Sequence, residues 1–129
     1  MTKSKILVVD DDPKLSRLVA IVLSRVGGYD VSEENRPFAV LATARQYSPD
    51  VILLDVDMPG KDGGTLAREL SEDPVLASIP VVFVTSLISA SEAGTRHGAR
   101  YVAKPVNPQI LLDTVHSLCP RLQRQAQEA

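Results

Sequence analysis

The sequence predicts a three-layer α/β domain built on a parallel sheet, and three observations support this fold class. Apolar runs such as Ile6-Leu7-Val8-Val9 are typical of strands that are buried on both faces. Segments with apolar residues at helical spacing separate these runs. The dipeptides Asp12-Pro13 and Asn107-Pro108 each follow a strand, and a capping side chain before proline typically starts a helix. This alternation predicts right-handed crossovers and helices on both faces of the sheet.

The first half of the chain is predicted to hold three strands and two helices. Strand one covers residues 5–10 and ends in aspartates. The first helix starts at Pro13 and ends at Gly27-Gly28, because glycine readily adopts the left-handed backbone that closes many helices. Strand two is expected at residues 29–32, helix two at 37–46 and strand three at 51–55.

The second half continues the alternation. Residues 59–64 are predicted to form a turn, since proline and glycine favour turn backbone, and helix three follows through Leu70. Strand four starts after Pro80 and ends at Thr85. Helix four is expected within residues 89–97, strand five at 100–103, and helix five from its Asn107 cap to a stop at Pro120.

Composition excludes several classes of function. The 129 residues suit one domain, and the net charge of −2 offers no basic surface for nucleic acid. A single cysteine, Cys119, excludes an internal disulfide framework and fits a reducing compartment. No apolar run reaches the length of a membrane span. We therefore expect a cytoplasmic protein that contacts neither a membrane nor nucleic acid directly.

Polar side chains lie at the ends of four predicted strands: Asp10 with Asp11, Asp55, Thr85 and Lys104. The carboxyl ends of parallel strands meet at one edge of the sheet, where open α/β folds bind ligands. Carboxylates that lie close together repel one another unless a cation or a shared proton offsets the repulsion. A hard divalent metal with oxygen ligands would do so, and Mg²⁺ is the simplest choice, with Mn²⁺ as an alternative.

These side chains suit the transfer of a phosphoryl group. A metal ion would neutralise the phosphoryl oxygens and hold them in line. Asp55 is a carboxylate nucleophile that can form an acyl phosphate. Lys104 would supply a compact cation to one phosphoryl oxygen, and Thr85 a hydrogen bond to another.

The motifs resemble those of the CheY-like receiver domains of two-component response regulators, across nearly the whole chain. The matching pieces are Ile6-Leu7-Val8-Val9-Asp10-Asp11, Leu53-Leu54-Asp55, Met58-Pro59-Gly60 with Asp62-Gly63, Val84-Thr85-Ser86 and Lys104-Pro105. Each piece alone is weak, but their order along the chain is highly specific. The resemblance implies a flavodoxin-like (βα)5 fold with sheet order 2-1-3-4-5. Residues 1–120 would form the receiver, and 121–129 a polar tail or the start of a linker.

The resemblance also implies a role for each site residue. Asp55 would be the phosphoacceptor and a metal ligand, with Lys104 in contact with the phosphoryl group. Asp10 and Asp11 would form an acidic pair in which Asp11 is the more direct Mg²⁺ ligand, and Asp57 would contribute its backbone carbonyl. Two further residues, Thr85 and Tyr101, would be the switch residues, although simple packing could also explain Tyr101.

By this resemblance the chain is a signalling switch and not a metabolic enzyme. It would take its phosphoryl group from a histidine kinase or a histidine phosphotransfer protein and then bind a downstream target that the sequence does not identify. Slow autodephosphorylation and self-phosphorylation from small acyl phosphates are expected. Whether the chain stands alone or is part of a longer regulator or hybrid kinase stays open.

Two departures from the family pattern lead to hypotheses. Asp57 is an additional acid beside the phosphoacceptor, and Leu87 is an apolar residue on the same water path, so we expect an altered phosphoryl lifetime. The second departure lies between Thr85 and Lys104, which are 104 − 85 = 19 positions apart. That is roughly three positions, or about one helical turn, fewer than usual. We expect a short or irregular helix four, and a monomer or weak dimer in place of the usual dimer.

Two alternative functions compete with this interpretation. Asp55-Val56-Asp57 also matches the Asp-x-Asp motif of haloacid-dehalogenase phosphatases, with Asp55 as nucleophile and Asp57 as general acid/base. That superfamily usually places the motif on its first strand, whereas here the acidic pair comes first. The other alternative is a binding module that keeps the receiver fold without phosphorylation, and the presence of all the key side chains argues against it.

Overall fold

The secondary structure follows the predicted alternation closely. The computed structural model describes residues 3–58, 63–86, 94–96 and 99–119. The strands are β1 (Lys5–Val9), β2 (Asp30–Glu34), β3 (Val51–Asp55), β4 (Val81–Thr85), β5 (Gly94–Arg96) and β6 (Ala99–Ala103). The helices are α1 (Pro13–Ile21), which continues as a π-helical turn (Val22–Val26), α2 (Val40–Tyr47) after a 3-10 turn (Pro37–Ala39), α3 (Gly63–Glu72) and α4 (Pro108–Ser117).

The strands form one sheet in the order β2-β1-β3-β4-β6-β5, and all neighbours except β5 and β6 pair in parallel. Since β6 is the fifth strand of the prediction, the predicted order 2-1-3-4-5 and the flavodoxin-like fold class are confirmed. The register aligns Val9 with Leu54, Asp55 with Val84, and Thr85 with Ala103. The residues that end these strands therefore lie at one edge of the sheet.

The region between β4 and β6 differs from the prediction. Helix four was expected within residues 89–97, but residues 94–96 form β5, which pairs antiparallel with β6. Gly94 and Thr95 are poor helix formers, and a β-branched residue beside a strand edge favours extended backbone. The remainder of the predicted helix lies outside the described residues.

Several element boundaries also differ from the prediction by a few residues. β2 extends to Glu34, two residues further than expected, because other side chains bind its terminal glutamates. α3 begins at Gly63 itself, where a Cβ atom would lie only 2.5 Å from Val56 Cγ1, so glycine permits the close approach. α4 ends at Ser117, before Pro120. The predicted caps are confirmed, with Asp12 accepting from the Lys14 amide at 3.0 Å and Asn107 from two amides of α4.

Apolar side chains cover both faces of the sheet. Ile6 and Val8 point to a cluster that includes α1 and α4, while Leu7 and Val9 point to a second cluster with α2 and α3. This alternation is the ordinary consequence of strand geometry when both faces are covered. None of the helices in the described part of the chain is long and apolar enough to cross a membrane.

Candidate functional site

Three carboxylates converge at the carboxyl edge of the sheet. Asp10 and Asp11 follow β1, and Asp55 ends β3. Each of the three offers an oxygen, and these oxygens all lie within 4.8 Å of one another. Asp10 and Asp55 are buried, whereas Asp11 is more exposed. Three carboxylate oxygens at this spacing are a suitable ligand set for Mg²⁺.

The electrostatics of Asp10 show the strain of bringing these acids together. Burial and, to a smaller extent, the charge and hydrogen bond of Asp55 raise the pKa of Asp10 to about 6, although the hydrogen bond from the Asp12 amide and the charge of Lys104 lower it. A cation between the two carboxylates would relieve both the burial cost and the repulsion.

Lys104, at the end of β6, supplies a positive charge beside this cluster. Its Nζ donates to Asp55 Oδ1 at 2.8 Å and lies 3.4 Å from Asp57 Oδ2. Burial disfavours the ammonium, but the hydrogen bond and charge of Asp55, with smaller contributions from Asp10 and Asp57, hold the pKa of Lys104 above its ordinary value. Lys104 is therefore a firmly charged cation in contact with the candidate nucleophile.

The side chain of Asp57 links the end of β3 to the end of β4. Its Oδ2 accepts from the Ser86 amide at 2.9 Å and from Ser86 Oγ at 3.0 Å, while its Oδ1 accepts from Thr85 Oγ1 at 3.2 Å. Its backbone amide donates to Asp55 Oδ1 at 2.9 Å. Partial burial opposes ionisation of Asp57, but the Ser86 and Thr85 hydrogen bonds and the Lys104 charge outweigh it and lower its pKa.

Polar side chains from α1 and from the end of β2 form a hydrogen-bond network that contacts the backbone at the end of β1. Asn35 Nδ2 donates to the backbone carbonyl of Asp10 at 2.8 Å and to Ser16 Oγ at 2.9 Å. The hydroxyl of Ser16, which is fully buried, donates to Glu33 Oε1 at 2.9 Å. Sequence reasoning missed this network and also gave no role to Ser86. The sequence did carry a signal for this network. Glu33 and Asn35 lie at the carboxyl end of β2, and polar side chains at the carboxyl ends of parallel strands meet at one edge of the sheet.

The remaining candidates lie further from the acidic cluster or outside the described residues. Tyr101 is half-buried on β6 and stacks on Phe83 of β4, with ring centroids 5.2 Å apart and planes at 27°. Leu87, a candidate for tuning dephosphorylation, lies outside the described residues. Cys119, which has no predicted role in the site, is buried in the core.

An apolar groove opens beside the acidic cluster. It has a volume of about 720 Å³ and lies between α1 and α4, and it reaches Asp55 and Lys104. Leu15 and Leu18 of α1 line one wall, and both side chains are exposed at 43% and 61%. An exposed apolar groove beside polar side chains is typical of a surface that binds another protein or a small molecule.

Comparison with known proteins agrees with this geometry. The sequence model of the response regulator receiver domain matches residues 6–116. The chain is 37% identical over 118 residues to Protein PilH of Pseudomonas aeruginosa, covering 89% of this chain and 97% of that protein. It is 40% identical over 118 residues to Response regulator PleD of Caulobacter vibrioides, covering 89% of this chain and 26% of that protein.

The fold is also similar to solved structures. The chemotaxis response regulator CheY4 of Vibrio cholerae superposes with a TM-score of 0.77 at 29% identity, over 91% of this chain and 99% of that one. The chain therefore belongs to the response regulator receiver domain family.

Membership in this family has direct consequences for function. Receiver domains are signalling switches of two-component systems that interact with histidine kinases and downstream effectors, and they generally bind Mg²⁺ at an acidic pocket. The carboxylates of Asp10, Asp11 and Asp55 fit such a pocket. The phosphatase alternative is therefore set aside, because receivers are switches rather than metabolic enzymes.

Proposed function

We propose that this chain accepts a phosphoryl group on Asp55 in a Mg²⁺-dependent reaction of a His-Asp phosphorelay. The observation that carries the proposal is the contact of Lys104 Nζ with Asp55 Oδ1 at 2.8 Å beside the three-carboxylate cluster. A cation for the phosphoryl oxygens, a nucleophile and a metal ligand set thus meet at one edge of the sheet.

The reaction follows from the contacts of Asp55. Lys104 and the Asp57 amide both bind Oδ1, which leaves Oδ2 as the attacking oxygen. Oδ2 attacks the phosphorus of a phosphohistidine and the phosphorus–nitrogen bond breaks. The ring, protonated on its other nitrogen, leaves as neutral imidazole. Asp10, Asp11, Asp55 and the backbone carbonyl of Asp57 would hold Mg²⁺, which neutralises the phosphoryl oxygens when bound.

Phosphorylation would change the surface through β4 and β6. Thr85 would turn its hydroxyl to a phosphoryl oxygen, and the packing of Tyr101 against Phe83 would change with it. The acyl phosphate would hydrolyse slowly in the domain itself, with Asp57 and Leu87 affecting access of water. If replacement of both residues leaves the dephosphorylation rate unchanged, this role for Asp57 and Leu87 is wrong.

The donor protein would dock on the apolar groove between α1 and α4. The groove reaches Asp55, so a helical donor seated on Leu15 and Leu18 would bring a phosphohistidine to the nucleophile. Small acyl phosphates would need only the polar site.

The experiment that tests phosphorylation is intact-protein mass spectrometry after incubation with acetyl phosphate and Mg²⁺. We expect one phosphoryl adduct on the wild type and none on Asp55→Asn or without Mg²⁺. A wild type without an adduct that also fails to bind beryllofluoride would contradict the proposal, since a competent site binds this phosphoryl mimic even when the acyl phosphate is short-lived.

A further inference from the structure

The carboxylate of Asp57 accepts hydrogen bonds from donors that lie beside Asp55, the proposed phosphoacceptor. Ser86 gives it two hydrogen bonds, from the amide at 2.9 Å and the hydroxyl at 3.0 Å, and Thr85 gives one at 3.2 Å. Lys104 Nζ lies 3.4 Å from the same carboxylate. One backbone amide and two hydroxyl donors from the end of β4, together with the ammonium that follows β6, are thus directed at one anion.

A phosphoryl group on Asp55 would need these same partners. It is an anion with several acceptor oxygens, and Lys104 already contacts Asp55 itself. Asp57 is only two residues along the chain, and its amide is fixed to Asp55 Oδ1. Two anions sharing one set of donors would repel each other and would leave acceptors unsatisfied.

We propose that Asp57 is a resident anion that holds the phosphoryl-binding donors in the unphosphorylated protein and competes with the phosphoryl group for them. The inference rests on the proposed function of Asp55. When the phosphoryl group arrives, the Asp57 side chain rotates away while its backbone stays bonded to Asp55. The acceptor for the donors of Thr85, Ser86 and Lys104 then changes from the Asp57 carboxylate to the phosphoryl oxygens.

The proposed competition predicts the sign of the change in affinity for a phosphoryl mimic when Asp57 is replaced. Removing the charge of Asp57 weakens the hold on Ser86 and Lys104 and so favours any phosphoryl mimic. A purely structural role for Asp57 gives the opposite sign, because losing its bonds would disorder the donors and weaken the binding of the mimic. The sign of the change in affinity therefore separates the two roles.

The test is a titration of Mg²⁺-saturated protein with beryllofluoride, followed by two-dimensional 15N NMR. We expect Asp57→Asn and Asp57→Ala to bind beryllofluoride roughly tenfold more tightly than the wild type, the equivalent of about one charge-assisted hydrogen bond. The Ser86 amide resonance should also move in both variants before any ligand is added, because that amide donates to Asp57.

The matched control is Asp12→Asn. It removes one negative charge near the same sheet edge, and asparagine caps helices as well as aspartate, so α1 keeps its cap. We expect its affinity for beryllofluoride to change by less than about twofold, since an exposed charge is largely screened. Mg²⁺ affinity is measured for each variant so that all titrations are run at metal saturation.

The outcomes separate the two proposals. If the wild type neither binds beryllofluoride nor forms an adduct with acetyl phosphate, the proposed function fails. If the wild type binds beryllofluoride and the Asp57 variants bind it no more tightly than Asp12→Asn, only the competition by Asp57 is overturned.

Discussion

At the scale of single residues, the site depends on one cation shared among several carboxylates. Lys104 lies 2.8 Å from Asp55 and 3.4 Å from Asp57, and only 21% of its side chain is exposed. A partly buried ammonium beside Asp55, the proposed nucleophile, would act on charge that develops in the transition state, where a fixed donor is most effective. The role of Lys104 should therefore be visible in reaction rate more than in folding.

We expect Lys104→Gln to lower the rate of phosphorylation by acetyl phosphate about a hundredfold at saturating Mg²⁺, because one preorganised charge is lost. The rate is measured by mass spectrometry of the adduct over time. Lys14→Gln is the control, since Lys14 is an exposed lysine at the start of α1. A Lys104→Gln rate within threefold of that control would contradict the role given to Lys104.

The sequence could predict those site residues that are identified by their position at the end of a strand. Asp10, Asp55, Thr85 and Lys104 end strands at one edge, and the structure brings them together there. The contacts of Asp57 with Ser86 could not be predicted, because a side chain's choice among nearby donors depends on rotamers and not on register. The function of each residue in phosphorylation stays a prediction.

At the scale of elements, close approaches decide where helices and strands begin. The first turn of α3 packs against Val56, the residue after Asp55, and it can do so because Gly63 has no side chain. The length of β2 was underestimated because Glu33 and Glu34 break the apolar pattern. Partners on α1 and α2 that are distant in sequence bind both glutamates.

A pair of alanine substitutions tests the close approach of α3. Gly63→Ala should destabilise the protein by about 2 kcal/mol or more, because its Cβ would overlap with Val56 atoms, including backbone 2.6 Å away. Gly64→Ala, at the next and exposed position, should stabilise by up to about 1 kcal/mol through helix propensity. Urea unfolding measures both, and equal effects of the two changes would argue against the packing explanation.

The anchoring of β2 to α2 should depend on pH. Thr43 Oγ1 donates to Glu34 Oε1 at 2.6 Å, and Arg36 binds the other oxygen through its amide and guanidinium. Burial opposes ionisation of Glu34, but these hydrogen bonds and the Arg36 charge outweigh it and lower its pKa below 4.5. Since the folded pKa is the lower one, the stabilisation is complete above the unfolded value and is lost as pH falls through the folded value.

Glu34→Gln should therefore cost about 1 to 2 kcal/mol of unfolding free energy at pH 7, the usual worth of hydrogen bonds to a charged group. The difference from the wild type should shrink as pH falls below 4.5. Urea unfolding at several pH values measures it. A difference that stays constant down to pH 3 would show that the charge of Glu34 has no part in the anchoring.

At the scale of the whole molecule, the polar site and the apolar groove are neighbours. The groove between α1 and α4 reaches Asp55 and Lys104, so a partner that covered the apolar wall would also close over the proposed nucleophile. The parallel sheet with helices on both faces was predictable from the alternation of strands and helices, and the strand order was predictable from the family resemblance. The groove was not, since its width depends on how far two helices stand apart. The receiver limits of 1–120 and the monomer or weak dimer stay predictions.

We expect Leu18→Ala to slow phosphotransfer from a histidine kinase that phosphorylates the wild type, by about tenfold, because an exposed apolar contact is lost from the docking surface. Phosphorylation by acetyl phosphate should be unchanged. Val26→Ala is the control, since Val26 is 72% exposed at the opposite end of the same helical segment. Equal transfer rates for both variants would rule out this docking surface.

Because the short strand β5 pairs with β6, β5 and not β6 is the outermost strand at this edge of the sheet. An outermost strand leaves a row of backbone groups without partners in the sheet, and such a row invites pairing with other chains. Here the backbone of β6 is paired on both sides, with Gly94 opposite Tyr101. The strand that carries the proposed switch residue is thus an interior strand. Within the described part of the chain, a protein that added a strand at this edge would therefore pair with β5 and not with the backbone of β6.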